Sequence, residues 1–444
     1  MDTAILQERA ATPPAPCAES YAQDKQRLAR WFEHGLARFE LDMARSTPEL
    51  RRAWRAGDAQ VRADFAATHG ERVYRELTDD FRRMPRLDAL LAAVPDSVPG
   101  LLPAPGQLAA DAKLELKDKY GFELSLGLVL AQWLAIPSVG RHLMASMRQA
   151  RPESAAALAQ FQSTGELDLG LVALHRHGHQ AHLLLNNPDC LNAEDEVLVD
   201  AMEIAVDVAL LDPQVQVGVL RGGVMQHPKY RGRRVFCSGV DLTKLYRGQL
   251  PYRFYVEREL GLVSKLWRGL WGGGDPFTDA PDRGVEKPWI AAVEGHAIGG
   301  GCQLLLVCDH AIAESGAFVS IPARAEGFIP GLANLRLPQY LGRRLANRLI
   351  YRNARLDVAS AEGRLLIDEV VARDDMDAAI DRAADDMMAM GTHGIVSNRK
   401  AFRQAVEPIE QFRLYMATFC REQAQCMYGK EILDNLEQFW LRRA

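Results

Sequence analysis

Two short segments carry residue types that could stabilise negative charge on a reacting oxygen. Arg234-Val-Phe-Cys-Ser-Gly-Val-Asp-Leu242 reads as an apolar strand ending in Ser-Gly, with an Asp placed to start a helix. Lys287-Pro-Trp-Ile-Ala-Ala-Val-Glu-Gly-His-Ala-Ile-Gly-Gly-Gly-Cys-Gln-Leu304 reads as a strand, a glycine run and a helix. Glycines ahead of a helix let the backbone turn sharply and approach a ligand, and the first helical N–H groups have no internal partner. Such a run makes an anion or oxyanion site, or else a tight turn that only packs helix on strand. A third candidate, His175, His177 and His179, alternates like one face of a strand that could hold a metal. Gly178 between them argues for a turn, and no carboxylate follows closely, so no metal is expected.

The surrounding elements must hold these segments in register. From Tyr21 to Gln162 the pattern is helical, and stretches such as Asp24 to Ser46 and Pro48 to His69 carry apolar residues at helical spacing. One Pro/Gly-rich break, Val94 to Gly106, separates the earlier helices from later ones near Leu124 to Leu134. Near Gly165 the character changes: LDLGLVALHRHGHQAHLLLNNPD shows short β-type runs around a glycine turn, as in a hairpin. Val197, Ala201, Ile204, Val208 and Leu211 then step by four and three, which predicts a helix burying that face, and VQVGVLRGG predicts a strand. Strand, helix, strand recurs at Trp289 to Glu294, Cys302 to Val307 and His310 to Glu314, so the expected fold class is α/β with stacked βαβ turns. From Pro338 onward the chain is again mainly helical. The expected organisation is a flexible Ala/Pro-rich lead over 1–20, a helical N-terminal domain over 21–164, the α/β core over 165–355 and a helical C-terminal region over 356–444. WGGGDPFTDAPDRG, 271–284, has the composition of a flexible loop.

Composition narrows the function classes. With 444 residues, 48% hydrophobic and 25% charged, the chain has ample material for a packed core. A net charge of -5 speaks against a nucleic-acid partner, which usually requires a basic stripe. The seven cysteines are scattered with no CxxC pair, so neither a disulfide framework nor a zinc site is expected. The N-terminus has early acidic residues and no long apolar stretch, which predicts a cytoplasmic protein without membrane contact.

The two segments, joined by Ile321-Pro-Ala-Arg-Ala-Glu-Gly-Phe-Ile-Pro-Gly331, resemble the crotonase (enoyl-CoA hydratase/isomerase) superfamily over about residues 165–400. The resemblance implies a crotonase-type spiral of βαβ turns, a coenzyme A thioester substrate and a homo-oligomer, trimer or hexamer. It also implies two backbone N–H donors for the thioester oxygen, from Val240 and Gly300, and nucleotide contacts from His227, Lys229 and Tyr230, which a plain surface loop would explain nearly as well. Ile329 and Gly331 fall in the third motif and are expected to line the substrate. The departures are informative. Where hydratases carry their two glutamates, this chain has Gln303 and Ala323, and neither an amide nor a methyl can serve as general acid or base. Glu326, three residues beyond Ala323, is expected elsewhere, on the surface or in an ion pair.

The helical N-terminal extension, Gln303, and the segments HPKYRGRRVFCSGVDL and AEGFIPG are similar to a narrower family, the dioxygenases of (3,5-dihydroxyphenyl)acetyl-CoA in glycopeptide antibiotic biosynthesis. That similarity implies O2 as co-substrate with no metal, flavin or other cofactor, and (3,5-dihydroxyphenyl)glyoxylate and free coenzyme A as products. It places Glu194 and Arg258 at the ring hydroxyls and Gln303 near the reacting carbon. Read from sequence alone, Glu194 could instead favour a helix N-terminus and Arg258 could be a solvated helix charge. A thioesterase or decarboxylase using the same donors, or a non-catalytic scaffold, are the alternatives.

Overall fold

The computed structural model describes residues 13–43, 47–278 and 283–441. Most of the expected lead, residues 1–12, and the loop tip 279–282 lie outside the described residues. Seven helices come first: α1 (Tyr21–Met43), α2 (Pro48–Thr78), α3 (Leu87–Ser97), α4 (Pro105–Asp111), α5 (Glu123–Ala135), α6 (Pro137–Met147) and α7 (Ser154–Thr164). Thr47 starts α2 by accepting a bond from Leu50 N, with Pro48 in the first turn where its missing N–H is harmless. Gly165, in the left-handed conformation, ends α7 and hands the chain to the sheet.

Next come β1 (Glu166–Asp168), β2 (Val172–His177), β3 (Gln180–Leu185), α8 (Glu196–Leu211), β4 (Val217–Gly222), α9 (Leu242–Tyr246) and α10 (Tyr252–Arg258). A π-helical turn, Glu259–Val263, continues α10 and leads into α11 (Ser264–Arg268). They are followed by β5 (Trp289–Val293), β6 (His296–Ile298), α12 (Gly300–Leu305), β7 (His310–Glu314), β8 (Phe318–Ser320), α13 (Ala323–Glu326) and α14 (Ala333–Arg352). The chain closes with β9 (Arg355–Asp357), β10 (Glu369–Val371), α15 (Met376–Ala389), α16 (Thr392–Val406), α17 (Ile409–Met427) and α18 (Glu431–Leu436).

The main sheet has the order β1-β2-β3-β4-β5-β7-β10, antiparallel up to β3 and parallel beyond it, and a smaller sheet pairs β6-β8-β9. Its central strands are apolar on both faces, as parallel strands covered on each side must be. Val217, Val219, Ile290 and Ala292 face α15, whereas Leu220, Trp289, Ala291 and Val293 join the larger core that also takes in the N-terminal helices. Helix α5 is buried along almost its whole length, because it packs against both α2 and the distant α17.

Two expectations are corrected. The helix over 196–211 forms, but Val197 is 61% exposed, while Leu198, Val199, Met202 and Val206 are buried: α8 is enclosed between the β2–β3 hairpin, α7 and the π turn, so one apolar stripe does not describe it. The segment before Gly239 is not a regular strand; it pairs only through isolated bridges, Cys237 with Ala297 and Val224 with Arg234. The stretch after residue 355 is mainly helical, as expected, with the short β10 added to the main sheet beside β7. Among the described residues no single helix is long and apolar enough to cross a membrane.

Candidate active site

The two glycine-bearing segments lie side by side. Cys237 N donates to His296 O (3.3 Å) and Ile298 N to Cys237 O (3.0 Å), while Asp241 caps α9 by accepting from Lys244 N (3.0 Å). On its other side the first segment is held by Glu194, whose N–H donates to Gly239 O (2.6 Å) and whose carbonyl accepts from Asp241 N (2.9 Å). Bonds to the residues on either side of Val240 turn the Val240 N–H away from Glu194. Gly300 opens α12, so its N–H has no carbonyl one turn back. A Cβ placed on Gly239 would stand 2.9 Å from Gly300 N, so the two predicted donors border one spot. Among the described residues neither N–H has an acceptor.

Behind this spot is a buried polar cluster. Glu194, Arg258, Glu259 and Gln303 are 0%, 2%, 2% and 6% exposed. Arg258 grips Glu194 with two bonds, Nε to Oε2 (3.1 Å) and Nη2 to Oε1 (2.9 Å). Its Nη2 also donates to Gly300 O (3.0 Å), and its Nη1 to Gln303 Oε1 (3.0 Å) and Glu259 Oε1 (2.7 Å). All five guanidinium N–H donors are thereby used. Burial opposes the Arg258 charge, but Glu194 and then Glu259 outweigh it and leave its pKa above the ordinary value. The fit leaves no spare room: a Cβ on Gly300 would lie 1.9 Å from Glu194 Oε2. Gly331, with φ of 46°, closes the other side, and a Cβ there would lie 2.3 Å from Gln303 Oε1 and 2.6 Å from Glu259 Oε1. The structure thus brings together Gly300, Glu194, Arg258, Gln303 and Gly331, with Val240 at the rim.

Glu259 escaped the sequence reading. Consecutive residues of a regular α-helix point about 100° apart, so periodicity does not place Arg258 and Glu259 on one wall. The π turn beginning at Glu259 widens the helix and lets both face inward. Its position beside Arg258 in an acid-rich segment was the available signal. The clamp on the third motif also went unseen: Tyr415 Oη donates to Gly331 O, and Ile329 N donates to Gln423 Oε1 (3.0 Å), both from α17. No local pattern links residues so far apart in sequence.

Ala323 opens α13 and is buried. Glu326 ends that helix and is partly buried. Burial pushes its carboxyl up to about 7. His227, Lys229 and Tyr230 do not enter the buried cluster. They form a short 3-10 turn in which His227 accepts from Lys229 N (3.3 Å) and the Lys229 ammonium lies over the Tyr230 ring. Tyr230 packs edge-on against His296, and His296 Nε2 meets Ser238 Oγ at 2.8 Å, so this turn reaches the first donor segment through one ring. Burial, then Lys229 and Arg355, lowers His296 to about 4, which keeps it neutral. His175 and His177 are not buried, and among the described residues no cluster of three or more metal-binding side chains occurs.

Known proteins with the same features bear on this geometry. Residues 179–425 match the enoyl-CoA hydratase/isomerase family. The chain is 42% identical over 397 residues to the (3,5-dihydroxyphenyl)acetyl-CoA 1,2-dioxygenase of Amycolatopsis orientalis, covering 88% of this chain and 90% of that one. It is 35% identical over 196 residues to the mitochondrial enoyl-CoA hydratase domain-containing protein 2 of Bos taurus, covering 44% of this chain and 58% of that one. An enoyl-CoA hydratase structure from Mycobacterium avium subsp. paratuberculosis K-10 superposes with a TM-score of 0.50 at 20% identity, over 62% of this chain and 97% of that one, and supports the fold alone. The family match over more than half the chain, together with 42% identity to a relative covered to 90% of its length, places the protein in the crotonase (enoyl-CoA hydratase/isomerase) superfamily.

Proposed function

We propose that the chain is a cofactor-independent dioxygenase that converts (3,5-dihydroxyphenyl)acetyl-CoA and O2 to (3,5-dihydroxyphenyl)glyoxylate and coenzyme A. The observation that carries this reading is the buried Glu194–Arg258–Gln303 cluster against Gly300, in a chain so similar to a dioxygenase of that substrate. A hydratase needs a titratable group at the positions of Gln303 and Ala323, and this chain has none there. The α-carbon of an arylacetyl thioester is acidified by both ring and carbonyl, and Val240 N–H and Gly300 N–H take up the charge on the thioester oxygen once the proton leaves. The carbanion gives one electron to O2, and recombination forms an α-peroxide. Its terminal oxygen attacks the thioester carbonyl and expels coenzyme A. The O–O bond then breaks as the second α-hydrogen leaves, so both atoms of O2 end in the arylglyoxylate. Glu194, fixed in place by Arg258, accepts from the ring hydroxyls through its remaining lone pairs, Ile329 and Gly331 line the substrate, and His227, Lys229 and Tyr230 meet the nucleotide of coenzyme A.

The test is turnover under heavy-isotope O2. Two labelled atoms in the arylglyoxylate support the reading, whereas an unlabelled acid with released coenzyme A would make the protein a thioesterase or decarboxylase. Retained turnover after exhaustive chelation supports the metal-free reaction. Family membership is the ground for expecting a cytoplasmic homo-oligomer, trimer or hexamer, which sedimentation of the pure protein tests.

A further inference from the structure

We infer that Glu259 is the base that removes the α-proton of the thioester, an inference that rests on the reading of the site given above. Four polar side chains form the wall behind the two donors. Both oxygens of Glu194 are held by Arg258, at 2.9 and 3.1 Å. Gln303 is an amide, and position 323 is a methyl. Glu259 alone in this wall has a carboxylate oxygen, Oε2, that is buried without a hydrogen-bond partner, while its Oε1 is anchored 2.7 Å from Arg258 Nη1. Buried polar atoms are almost always satisfied, so an unsatisfied one calls for an explanation, and in a wall beside two backbone donors a catalytic role supplies it. Its place agrees. Glu259 Oε1 and Gln303 Oε1 both crowd the same point above Gly331, and Gln303 follows Gly300 by one helical turn. The resemblance implies that Gln303 lies near the reacting carbon, and Glu259 shares the Gly331 wall with Gln303, so its free oxygen is on the side of the site where the α-proton must leave.

The step balances without an oxidant. The α-carbon–hydrogen bond breaks, the proton bonds to Glu259 Oε2, and the electron pair moves into the thioester carbonyl, whose oxygen meets Val240 N–H and Gly300 N–H. The charged and titratable groups near Glu259 are Arg258 beside it, Arg336 from α14 with an unpartnered Nη1, Glu194 from the turn before α8, and Tyr415 from α17. Burial raises the Glu259 carboxyl above its usual range against the pull of Arg258 and Arg336. A base with raised proton affinity suits a weakly acidic carbon.

The experiment follows α-hydrogen exchange of (3,5-dihydroxyphenyl)acetyl-CoA in D2O without oxygen, using the full chain. Wild type is expected to exchange, with a rate that rises with pH through the Glu259 titration and then levels. Glu259→Gln, which keeps an acceptor for Arg258 Nη1, should exchange at least about 100-fold more slowly with an unchanged Kd for the thioester and no acid limb. Glu259→Asp, which withdraws the carboxylate by one methylene, should fall at least about 10-fold yet keep the acid limb, and it decides the matter if the amide variant does not fold. Exchange within about 3-fold of wild type in a folded Glu259 variant overturns the inference, as does loss of exchange on Glu326→Gln with Glu259→Gln intact. A wild-type protein that exchanges nothing and consumes no O2 removes the functional reading itself, and the inference with it.

Discussion

Glu259 and Glu407 are two glutamates at opposite ends of one buried arginine array, 2% and 1% exposed. Glu407 is saturated: Oε1 accepts from Arg268 Nη2 (2.7 Å) and Arg336 Nη2 (3.0 Å), and Oε2 from Arg336 Nε (2.7 Å). Burial pushes its pKa up, but Arg336 and then Arg268 outweigh it, so the carboxyl sits below its usual range. Glu259 has one bonded oxygen and one bare one, and there burial wins. Equal burial therefore yields opposite proton affinities, decided by how many donors reach each carboxylate. The saturated group ties α14 and α11 to the segment before α17. The half-saturated one is available for chemistry.

The comparison is tested first at the donors. Gly300→Ala drives a methyl into Glu194 Oε2 and should cost turnover about 100- to 1,000-fold or more, read as coenzyme A release. Glu407→Ala leaves Arg268 and Arg336 without a counter-charge and should destabilise by about 3 to 5 kcal/mol, read as a shifted urea midpoint. Glu259→Gln should destabilise less, because its neutral amide still accepts from Arg258. If both glutamates prove equally structural, the contrast between them is wrong.

The pH dependence should also run in opposite senses. With a lowered folded pKa, Glu407 contributes stability that is full above its unfolded value of about 4.3 and is lost as pH falls through the folded pKa. Glu326 is raised to about 7, so its favourable term is full below the unfolded value and is lost as pH rises toward neutrality. Glu326→Gln should accordingly gain about 1 to 3 kcal/mol on wild type at about pH 8 relative to about pH 5, in paired urea melts. The smallest effect is expected at the surface. Lys229→Ala should raise KM for the thioester about 3- to 10-fold, more at low salt, and leave kcat unchanged.

The glycine run, the Ser-Gly-Val-Asp segment and the Ile-Pro-Gly turn were legible because each depends on local backbone geometry, which a few consecutive residues dictate. The central strands were legible because burial on both faces leaves continuous apolar runs. Helix α8 was found, but its buried faces were misjudged, since enclosure on several sides erases the single stripe on which periodicity relies. Gln303 and Ala323 could be read as departures because a motif fixes their places. Glu259 could not, because its inward direction depends on a π turn and its character on whether a second donor reaches it.

What the sequence determined by itself was therefore the order of the elements and the two glycine-bearing turns that carry Val240 and Gly300, because a few consecutive residues dictate such turns. Only the tertiary structure decided that Glu194 and Arg258 are a buried pair rather than a helix cap and a solvated charge, and that Glu407 is saturated while Glu259 is not. Proton affinity in a buried site depends on which distant donors arrive within hydrogen-bond reach, and that is a property of packing rather than of neighbouring residues.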